Sequence, residues 1–457
     1  MSTDLAQTLA QIVGAEHVST AEAYRAQHAK DQSSHTAHLP DVVVWPASTT
    51  QVSQIARYAN AEGIAITGWG AGSSLEGNSI PLRGGIVINF GRMNQILATY
   101  QQDFQTTVQP GIFYKDMNKL LARNGLFFAP DPGANASIGG MIANNAAGTR
   151  TVKYGATRDN VLALEVVLAD GQVIRTGSRS VKQSAGYDLT HLFTGSEGTL
   201  GLITEATLKL HPLPEHFSAV VASFENTLDA ADAVYAVIGS GLNPAALELL
   251  DAASVRFMNT RVTSLPEKPT LLMEFHGASQ AAIESELVLV REVCNECGCS
   301  RFEAGVGRAE RDRLWEGRHA LGEILFSIYP DSIYLITDVA VPISAYPALA
   351  AYANGLYDEL GLHGALFGHA GDGNLHTVNF ASKHDAAQQA RLQEFNDRVV
   401  QKAIALDGTC TGEHGVGIGK QQYLVHEHGA AAVEVMRQVK RLFDPHGILN
   451  PGKVVKW

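Results

Sequence analysis

Two histidines and a glutamate in the second half of the chain have the residue types and spacing of a metal site. His369 and His376 flank an Ala-Gly-Asp-Gly-Asn turn between two predicted strands, residues 364–368 and 375–380, and such a turn brings the two imidazoles together. Two histidines and one carboxylate form a His₂Glu site with open positions, and Glu413 is the candidate carboxylate. The alternative is that each histidine simply packs beside the turn. The H-E-x-x-H pattern of the common zinc proteases is absent.

Two further residues could handle a substrate. His414 follows Glu413 and is a candidate general base, because an imidazole titrates near neutral pH. The alternative is a structural loop histidine, since the chain has 17 histidines. Arg318 lies in a predicted helix, residues 310–327. Its planar guanidinium could hold a substrate carboxylate through two hydrogen bonds, although most helix arginines are solvated surface charges.

A glycine-rich loop in the first half of the chain is a candidate nucleotide site. A buried strand, residues 64–67, is predicted to enter Gly68-Trp69-Gly70-Ala71-Gly72-Ser73-Ser74. Ser73 occupies the place of the third glycine in the Rossmann fingerprint, and no acidic residue for the ribose occurs at residues 86–90. A Walker sequence is also absent. The loop could be an ordinary turn, but its successive backbone N–H groups would suit a pyrophosphate.

Several motifs, in order along the chain, resemble a known flavoprotein family. Residues 68–77, 130–132, 137–145 and 195–201 resemble the FAD-binding domain of the vanillyl-alcohol oxidase / p-cresol methylhydroxylase (PCMH) fold. The later motifs, which contain the His and Glu residues, resemble its FAD-linked D-lactate dehydrogenase and D-2-hydroxyacid dehydrogenase branch. The resemblance extends from about Pro40 to Lys453. It implies an α+β fold with a PCMH-type FAD-binding domain and an α+β cap domain built on an antiparallel sheet.

The resemblance also implies roles for individual residues. His369, His376 and Glu413 match the metal ligands of the family; Zn²⁺ is favoured, and Mn²⁺ or Fe²⁺ would accept the same atoms. Arg318, Asn374 and His414 would bind the substrate, with His414 as the catalytic base. We expect dissociable FAD, because no His or Cys lies between residues 46 and 191. The implied FAD-binding positions are Gly68, Gly70, Ala71, Gly72, Ser73, Ser74, Gly77, Pro130, Ser137, Gly139, Gly140, Asn144, Gly148, Gly198, Ile203, Glu413 and Asn450.

The reaction implied is FAD- and metal-dependent oxidation of a D-2-hydroxy acid to the 2-oxo acid. Hydride would pass from C2 to flavin N5, and an external cytochrome, quinone or electron-transfer flavoprotein would take the electrons. D-lactate is favoured, because His319 follows Arg318 where the 2-hydroxyglutarate branch has an acidic residue. The alternatives are a D-2-hydroxyglutarate dehydrogenase, a glycolate oxidase FAD subunit, or a non-catalytic flavin-binding or metal-storage module.

Hydrophobic periodicity and turn residues predict the supporting elements. A capping box at Ser48–Gln51 starts a helix that Gly63 ends, and Ala169-Asp170-Gly171 indicates a hairpin. The stretch from residue 130 to 148 shows neither helical nor strand periodicity. Helices at 229–239, 279–297, 310–327, 345–360 and 386–406 alternate with short strands in the second half. The predicted domains are an N-terminal helical segment, 1–37, the FAD-binding domain, 38–214, the cap domain, 215–425, and a C-terminal segment returning to the FAD site, 426–457.

Composition narrows the class of protein. The chain has 457 residues, a formal net charge of −12, 45% hydrophobic and 18% charged residues, which excludes global disorder and argues against nucleic-acid binding. Three of the four cysteines lie at residues 294–299 and are interpreted as a helix end and a following strand. We expect a cytoplasmic protein, peripheral to the inner membrane as an alternative, because the sequence has no apolar run of about 18 residues and no basic N-terminal signal. A homodimer is left open.

Overall fold

The structure, a computed structural model, describes residues 2–261, 264–305 and 308–456. The chain divides into two compact units. The first contains Met1–Ala147, Gly155–Leu213 and Glu413–Trp457, and the second contains Gly148–Tyr154 and Pro214–Gly412. The chain thus returns to the first unit at Glu413, earlier than the predicted 426. The short segment 148–154, predicted within the FAD-binding domain, contacts mainly the second unit.

The elements are numbered in chain order. Helices α1 to α14 are Ser2–Val13, Glu22–Gln27, Thr49–Glu62, Tyr114–Leu121, Ile138–Asn144, Thr151–Tyr154, Leu189–Phe193, Thr227–Gly239, Ala252–Asn259, Gln280–Glu296, Arg308–Ile328, Tyr346–Leu360, Ala386–Ala405 and Leu424–Phe443. Strands β1 to β18 are Val18–Ser19, Val42–Val44, Ile66–Trp69, Ile86–Asn89, Ile96–Tyr100, Gln105–Val108, Leu126–Phe127, Val161–Val167, Val173–Gly177, Leu202–Lys209, His211–Pro212, His216–Ser223, Ala246–Leu250, Thr270–Gly277, Arg301–Gly305, Ser332–Ala340, His363–Gly368 and Asn374–Ser382.

The first unit contains two larger sheets. One has the order β1-β2-β4-β3, with β2, β4 and β3 parallel, and the other has the antiparallel order β5-β6-β10-β8-β9. Near the C-terminus the chain pairs with β3: the Ile66 N–H donates to the Ile448 carbonyl at 2.7 Å, and the Asn450 N–H donates to the Ile66 carbonyl at 2.7 Å. The end of the chain therefore lies beside the strand that leads into the glycine loop.

Local sequence signals in the first unit are confirmed at three places and miss one helix. Ser48 caps α3, Gly63 ends it in the left-handed conformation, and β8 and β9 form the predicted hairpin. The stretch 130–148 has neither helical nor strand periodicity, and its helix, α5, was not predicted. Ile138, Met141 and Ile142 bury a helical face in the core, and packing there outweighs the low helix propensity of two glycines.

The second unit is a seven-stranded antiparallel sheet in the order β15-β12-β14-β13-β17-β18-β16. Side chains from α9 and α11, including Met258 and Trp315, pack against the same apolar cluster as Phe367 of β17. Phe367 lies opposite His376, and His376 lies opposite Asp338, so these three side chains share one face of the sheet. This antiparallel cap fold confirms the predicted fold class.

A smaller sequence prediction, for the segment around the cysteines, also has a structural counterpart. Helix α10 ends at Glu296 and β15 begins at Arg301, which agrees with a helix end and a following strand around the cysteines. All four cysteines are free, and burial raises the pKa of the Cys294 thiol to about 12. Among the helices in the described part of the chain, none combines the length and apolarity that a membrane crossing requires.

Candidate active site

The three predicted metal ligands come together around the turn between β17 and β18. His369 directly follows β17, His376 lies in β18, and their ring centroids are 5.2 Å apart with an interplanar angle of 84°. Glu413 directly follows Gly412, the last residue of the second unit. One ligand atom each from His369, His376 and Glu413 lie within 4.8 Å of one another. Two buried imidazoles and a carboxylate at this spacing fit a divalent transition metal such as Zn²⁺.

A buried glutamate that sequence reasoning missed holds one of these histidines. Glu248 in β13 is fully buried, and its Oε1 lies 2.5 Å from Nδ1 of His369. With Nδ1–H donated to this carboxylate, Nε2 of His369 carries the lone pair that a metal requires. The sequence signal was present, because Glu248 is the single acidic residue in the apolar run Ala246-Leu247-Glu248-Leu249-Leu250.

The same glutamate holds Arg318, the predicted carboxylate-binding residue. The Arg318 Nε donates to Oε2 of Glu248 at 2.8 Å, and one Nη lies 2.7 Å from the same oxygen. The guanidinium also lies over the Phe367 ring, 4.8 Å from its centroid. Although burial opposes ionisation, Arg318 and His369 together hold the pKa of Glu248 below its ordinary value. Arg318 is thus a buried, oriented side chain and not a solvated helix charge.

A second buried carboxylate, also missed, supports the turn from the other side. Asp338 of β16 lies 3.6 Å from Nδ1 of His376 and accepts hydrogen bonds from Asn374 Nδ2 at 2.8 Å and from Thr411 Oγ1 at 2.9 Å. Asn374 Nδ2 also donates to the Val339 carbonyl at 2.8 Å. The Asn374 amide nitrogen therefore ties the turn to β16. A substrate contact by Asn374, which stays a prediction, would use its Oδ1.

A second Arg–Glu–His set, with the same residue types as Arg318, Glu248 and His369, is formed by α11 and the same sheet. Arg311, two helical turns before Arg318, donates to Glu274 through Nε at 2.9 Å and Nη2 at 3.2 Å, and Nε2 of His276 lies 2.5 Å from the same carboxylate. The Tyr154 hydroxyl lies 2.7 Å from Nδ1 of His276. Burial opposes ionisation of Glu274, but hydrogen bonds from His276 and Arg311 lower its pKa to about 2. This set does not include any predicted metal ligand.

The loop that carries His414 is held by a fourth buried acid, Glu197, within the first unit. Glu197 accepts hydrogen bonds from the backbone N–H groups of Val416 at 2.6 Å and Gly417 at 2.9 Å. Asn144, a predicted FAD-binding residue, donates from Nδ2 to the His414 carbonyl at 3.0 Å. Burial raises the pKa of Glu197 despite these hydrogen bonds. Nε2 of His414 lies 4.0 Å from Oε1 of Glu413, so the predicted base sits beside a predicted metal ligand.

The glycine loop after β3 has the donors that a pyrophosphate would need. A Cβ atom at Gly70 would lie 2.1 Å from Oγ of Ser137, so the loop packs tightly against the start of α5, where Ser137 accepts from the Gly140 N–H. Among the described residues, the backbone N–H groups of Gly70 to Ser74 donate no hydrogen bond. These N–H groups, which include those of Ala71, Gly72 and Ser73, fit the phosphate-binding role implied by the family.

The other predicted FAD-binding positions differ in what surrounds them. Gly198 has a φ of 69° with open space at its Cβ position, whereas a Cβ at Gly139 would lie 2.6 Å from Pro110. Ile203 is buried in the core of the first unit, so a contact with FAD there would use its backbone. Pro130 is also buried.

Two predicted positions, Gly77 and Asn450, have structural partners that explain the residue type. Gly77 has a φ of 76°, and a Cβ there would lie 2.6 Å from Ile418. Asn450 donates from Nδ2 to the carbonyls of Asn78 at 2.8 Å and Glu197 at 2.7 Å, which ties the glycine loop to the Glu197 loop. Gly148 lies in the segment that packs with the second unit. None of these contacts tests FAD binding, so the roles stay predictions.

Comparison with known proteins confirms the resemblance seen in the motifs. Residues 213–454 match the family "FAD linked oxidases, C-terminal domain", and residues 40–177 match the family "FAD binding domain". A mitochondrial D-lactate dehydrogenase [cytochrome] from Arabidopsis thaliana is 39% identical over 94% of this chain and 76% of the relative. A glycolate oxidase subunit from Bacillus subtilis is 36% identical over 99% of this chain and 96% of the relative. The solved 4-ethylphenol oxidase from Gulosibacter chungangensis has a TM-score of 0.82 at 18% identity, covering 100% of this chain and 97% of that one, and shows the same fold.

Proposed function

The chain belongs to the FAD-linked oxidase family, and on that premise we propose that it oxidises D-lactate to pyruvate with FAD and a divalent metal. Oxidation of a hydroxy acid is the activity that these relatives share by name, and the matching family models are those of FAD-linked proteins. The observation that carries the proposal is the cluster of His369, His376 and Glu413, one of whose histidines shares the Glu248 carboxylate with Arg318. A 2-hydroxy acid carries its hydroxyl on the carbon next to the carboxylate. The metal-ligand cluster would face the hydroxyl, and Arg318 would bind the carboxylate.

Arg318 is proposed to bind the substrate carboxylate. Its guanidinium is held by Glu248 and by the Phe367 ring, so its plane is fixed before substrate arrives, which lowers the entropic cost of binding. The next residue is His319, where the 2-hydroxyglutarate branch has an acidic residue. This difference favours a short substrate such as D-lactate over a dicarboxylic acid. Asn374 is proposed to hydrogen-bond the substrate nearby.

His414 is proposed to take the proton of the substrate hydroxyl at its imidazole. The hydrogen bonds that Glu197 and Asn144 make to its loop fix the backbone at and after His414. The backbone that carries the proposed base is thus held in place on both sides of the loop.

The two bound groups supply the remaining chemistry. FAD, when bound, supplies the N5 atom that accepts hydride from C2, and non-covalent binding through Gly68, the backbone of Gly70–Ser74 and Asn144 is proposed. The metal, when bound by His369, His376 and Glu413, supplies a Lewis acid that lowers the pKa of the substrate hydroxyl. Because a relative is named for cytochrome, we propose a cytochrome as electron acceptor, with a quinone or an electron-transfer flavoprotein as the alternatives to assay. That relative is named mitochondrial, whereas a cytoplasmic location is proposed here.

Anaerobic reduction of the flavin tests this function. The purified yellow protein is mixed without oxygen with D-lactate, L-lactate, glycolate and D-2-hydroxyglutarate in turn, and the loss of flavin absorbance is followed. D-lactate should bleach the flavin fastest, and L-lactate should leave it yellow. If none of the four acids bleaches it, the protein is a flavin-binding module and the proposal is wrong.

The second candidate function is that of a glycolate oxidase FAD subunit, which the match to the Bacillus subtilis subunit over 96% of its length favours. The same panel separates the two. Faster bleaching by glycolate than by D-lactate would identify this alternative, and oxygen uptake by the aerobic sample would show that O₂ reoxidises the flavin.

A further inference from the structure

We propose that Glu248 is a positioning residue that orients both His369 for metal binding and Arg318 for binding of the substrate carboxylate. Both functions would then depend on this one side chain. The proposal rests on the proposed function and adds a residue that neither the family motifs nor the sequence pattern assigned. One carboxylate oxygen of Glu248 receives Nδ1–H of His369 at 2.5 Å. The other receives two N–H groups of Arg318, at 2.8 Å and 2.7 Å. Each oxygen thus serves one side chain of the proposed site.

Burial makes this arrangement hard to replace. Glu248 is 0% exposed, and Arg318 and His369 are each 8% exposed, so water has little access to repair a lost hydrogen bond. Glu248 lies in the middle of β13, which is paired on both sides, with β14 and β17. The backbone therefore holds the carboxylate in place, and His369 and Arg318 take their orientations from it.

A glutamine at this position can satisfy only one of the two partners. If its carbonyl oxygen faces Arg318, its NH₂ group faces His369. The imidazole must then accept at Nδ1 and carry its proton on Nε2, where it can no longer bind a metal. If the amide is turned around, its NH₂ group opposes the N–H groups of Arg318, and the guanidinium must move. Glu248→Gln therefore weakens metal binding, substrate binding or both, although the side chain keeps its size.

The chain contains its own control. Glu274 lies on β14, next to β13, and holds Arg311 and His276 as Glu248 holds Arg318 and His369. Arg311 and Arg318 belong to the same helix, α11. Glu274→Gln therefore disturbs an Arg–Glu–His set of the same composition, in which a buried glutamate holds an arginine of the same helix. None of its members is among the three clustered metal-ligand candidates. A general loss of packing should therefore affect both variants, whereas an effect on metal binding should appear only in Glu248→Gln.

The experiment compares wild type, Glu248→Gln, Glu248→Asp and Glu274→Gln, each retaining its FAD. Metal is removed with a chelator, Zn²⁺ or Mn²⁺ is titrated back, and the dissociation constant is measured directly by calorimetry. KM and kcat for D-lactate are measured at saturating metal. A carboxylate that accepts a hydrogen bond from a metal-binding histidine typically changes metal affinity by about 10- to 100-fold. We expect a loss in that range for Glu248→Gln, a raised KM, and less than a twofold change in metal affinity for Glu274→Gln.

The outcomes separate this inference from the function on which it rests. Wild-type values of both metal affinity and KM in Glu248→Gln, or equal losses in Glu248→Gln and Glu274→Gln, would overturn the role of Glu248. Glu248→Asp keeps the charge on a shorter arm; if it recovers either metal affinity or KM while the other stays impaired, the two-partner role is supported. A wild type that binds metal yet reduces its flavin equally well without it would refute the metal's part in catalysis, while the metal titrations would still decide the role of Glu248.

Discussion

Replacing Arg318 with lysine should impair substrate binding far more than the retained positive charge suggests. In the structure the guanidinium uses Nε and one Nη on Glu248, and its planar fork keeps these bonds while presenting a further N–H edge. A lysine ammonium is a single point of charge, and its shorter reach forces a choice between Glu248 and the substrate. The Phe367 ring, 4.8 Å from the guanidinium, also loses a flat partner.

The size of the effect follows from the bonds that are lost. A hydrogen bond to a charged group contributes roughly 1.5–3 kcal/mol. Losing one such bond to the substrate carboxylate should therefore raise KM by about 10- to 100-fold, since about 1.4 kcal/mol corresponds to tenfold. Glu248 would keep His369 as a partner, so we expect a smaller loss of folding stability than removal of the only partner of a buried charge would cause.

The assay is the KM for D-lactate of purified Arg318→Lys protein, with flavin content and thermal unfolding measured on the same sample. Arg311→Lys is the matched control, because Arg311 lies on the same helix and also donates from Nε and one Nη to a buried glutamate, Glu274 of β14. It should lower stability with little change in KM. A wild-type KM in Arg318→Lys, or the same rise in both variants, would remove Arg318 from the substrate site.

Three further outcomes are expected. His414→Ala should slow anaerobic flavin reduction by about 10²- to 10⁴-fold, the usual share of a general base, and an undiminished rate at neutral pH would assign proton removal to another group. His376→Ala should purify yellow with near-normal flavin but without metal and without bleaching by D-lactate, and a colourless protein would show that this turn also supports FAD binding. Burial raises the pKa of Asp251 to about 6 from 3.8, so its stabilising contribution is complete below about pH 4 and is lost as pH rises through 6. Asp251→Asn keeps an oxygen to cap α9. At pH 8 its free energy of unfolding should therefore exceed that of wild type by up to about 3 kcal/mol, seen as a higher unfolding temperature. Near pH 4 the unfolding temperatures of the two proteins should converge.

Local signals in the sequence were enough to place most helices and strands. The hydroxyl of Ser48 accepts the hydrogen bond that starts α3, and the turn from 370 to 373 joins β17 and β18 so that His369 and His376 meet. These features depend on residues a few positions apart, where capping and turn chemistry act directly. Helix α5 was missed because its stability comes from tertiary burial of Ile138, Met141 and Ile142 and not from the propensity of its glycines.

Motif resemblance identified the residues of the proposed site, but not what holds them. Glu248 is 70 residues from Arg318 and 121 from His369, and Glu197 is 219 residues from Val416. No periodicity or spacing rule connects positions so far apart, because their proximity results from the order of strands in the sheet and from the return of the chain to the first unit. The supporting carboxylates therefore became visible only in three dimensions.

Three of the buried acids, those in the strands of the second unit, nevertheless share a sequence property from which a buried partner can be predicted. Glu248 stands between leucines in β13, Glu274 between Met273 and Phe275 in β14, and Asp338 near the end of the apolar strand β16. Burying an ionised carboxylate without a partner is so costly that such a residue requires a buried cation or several hydrogen-bond donors. A lone acid inside a strand that must lie in a core thus predicts an unseen Arg, His or Lys against it. Here each of the three acids lies against a histidine, and for two of them that histidine is a candidate metal ligand.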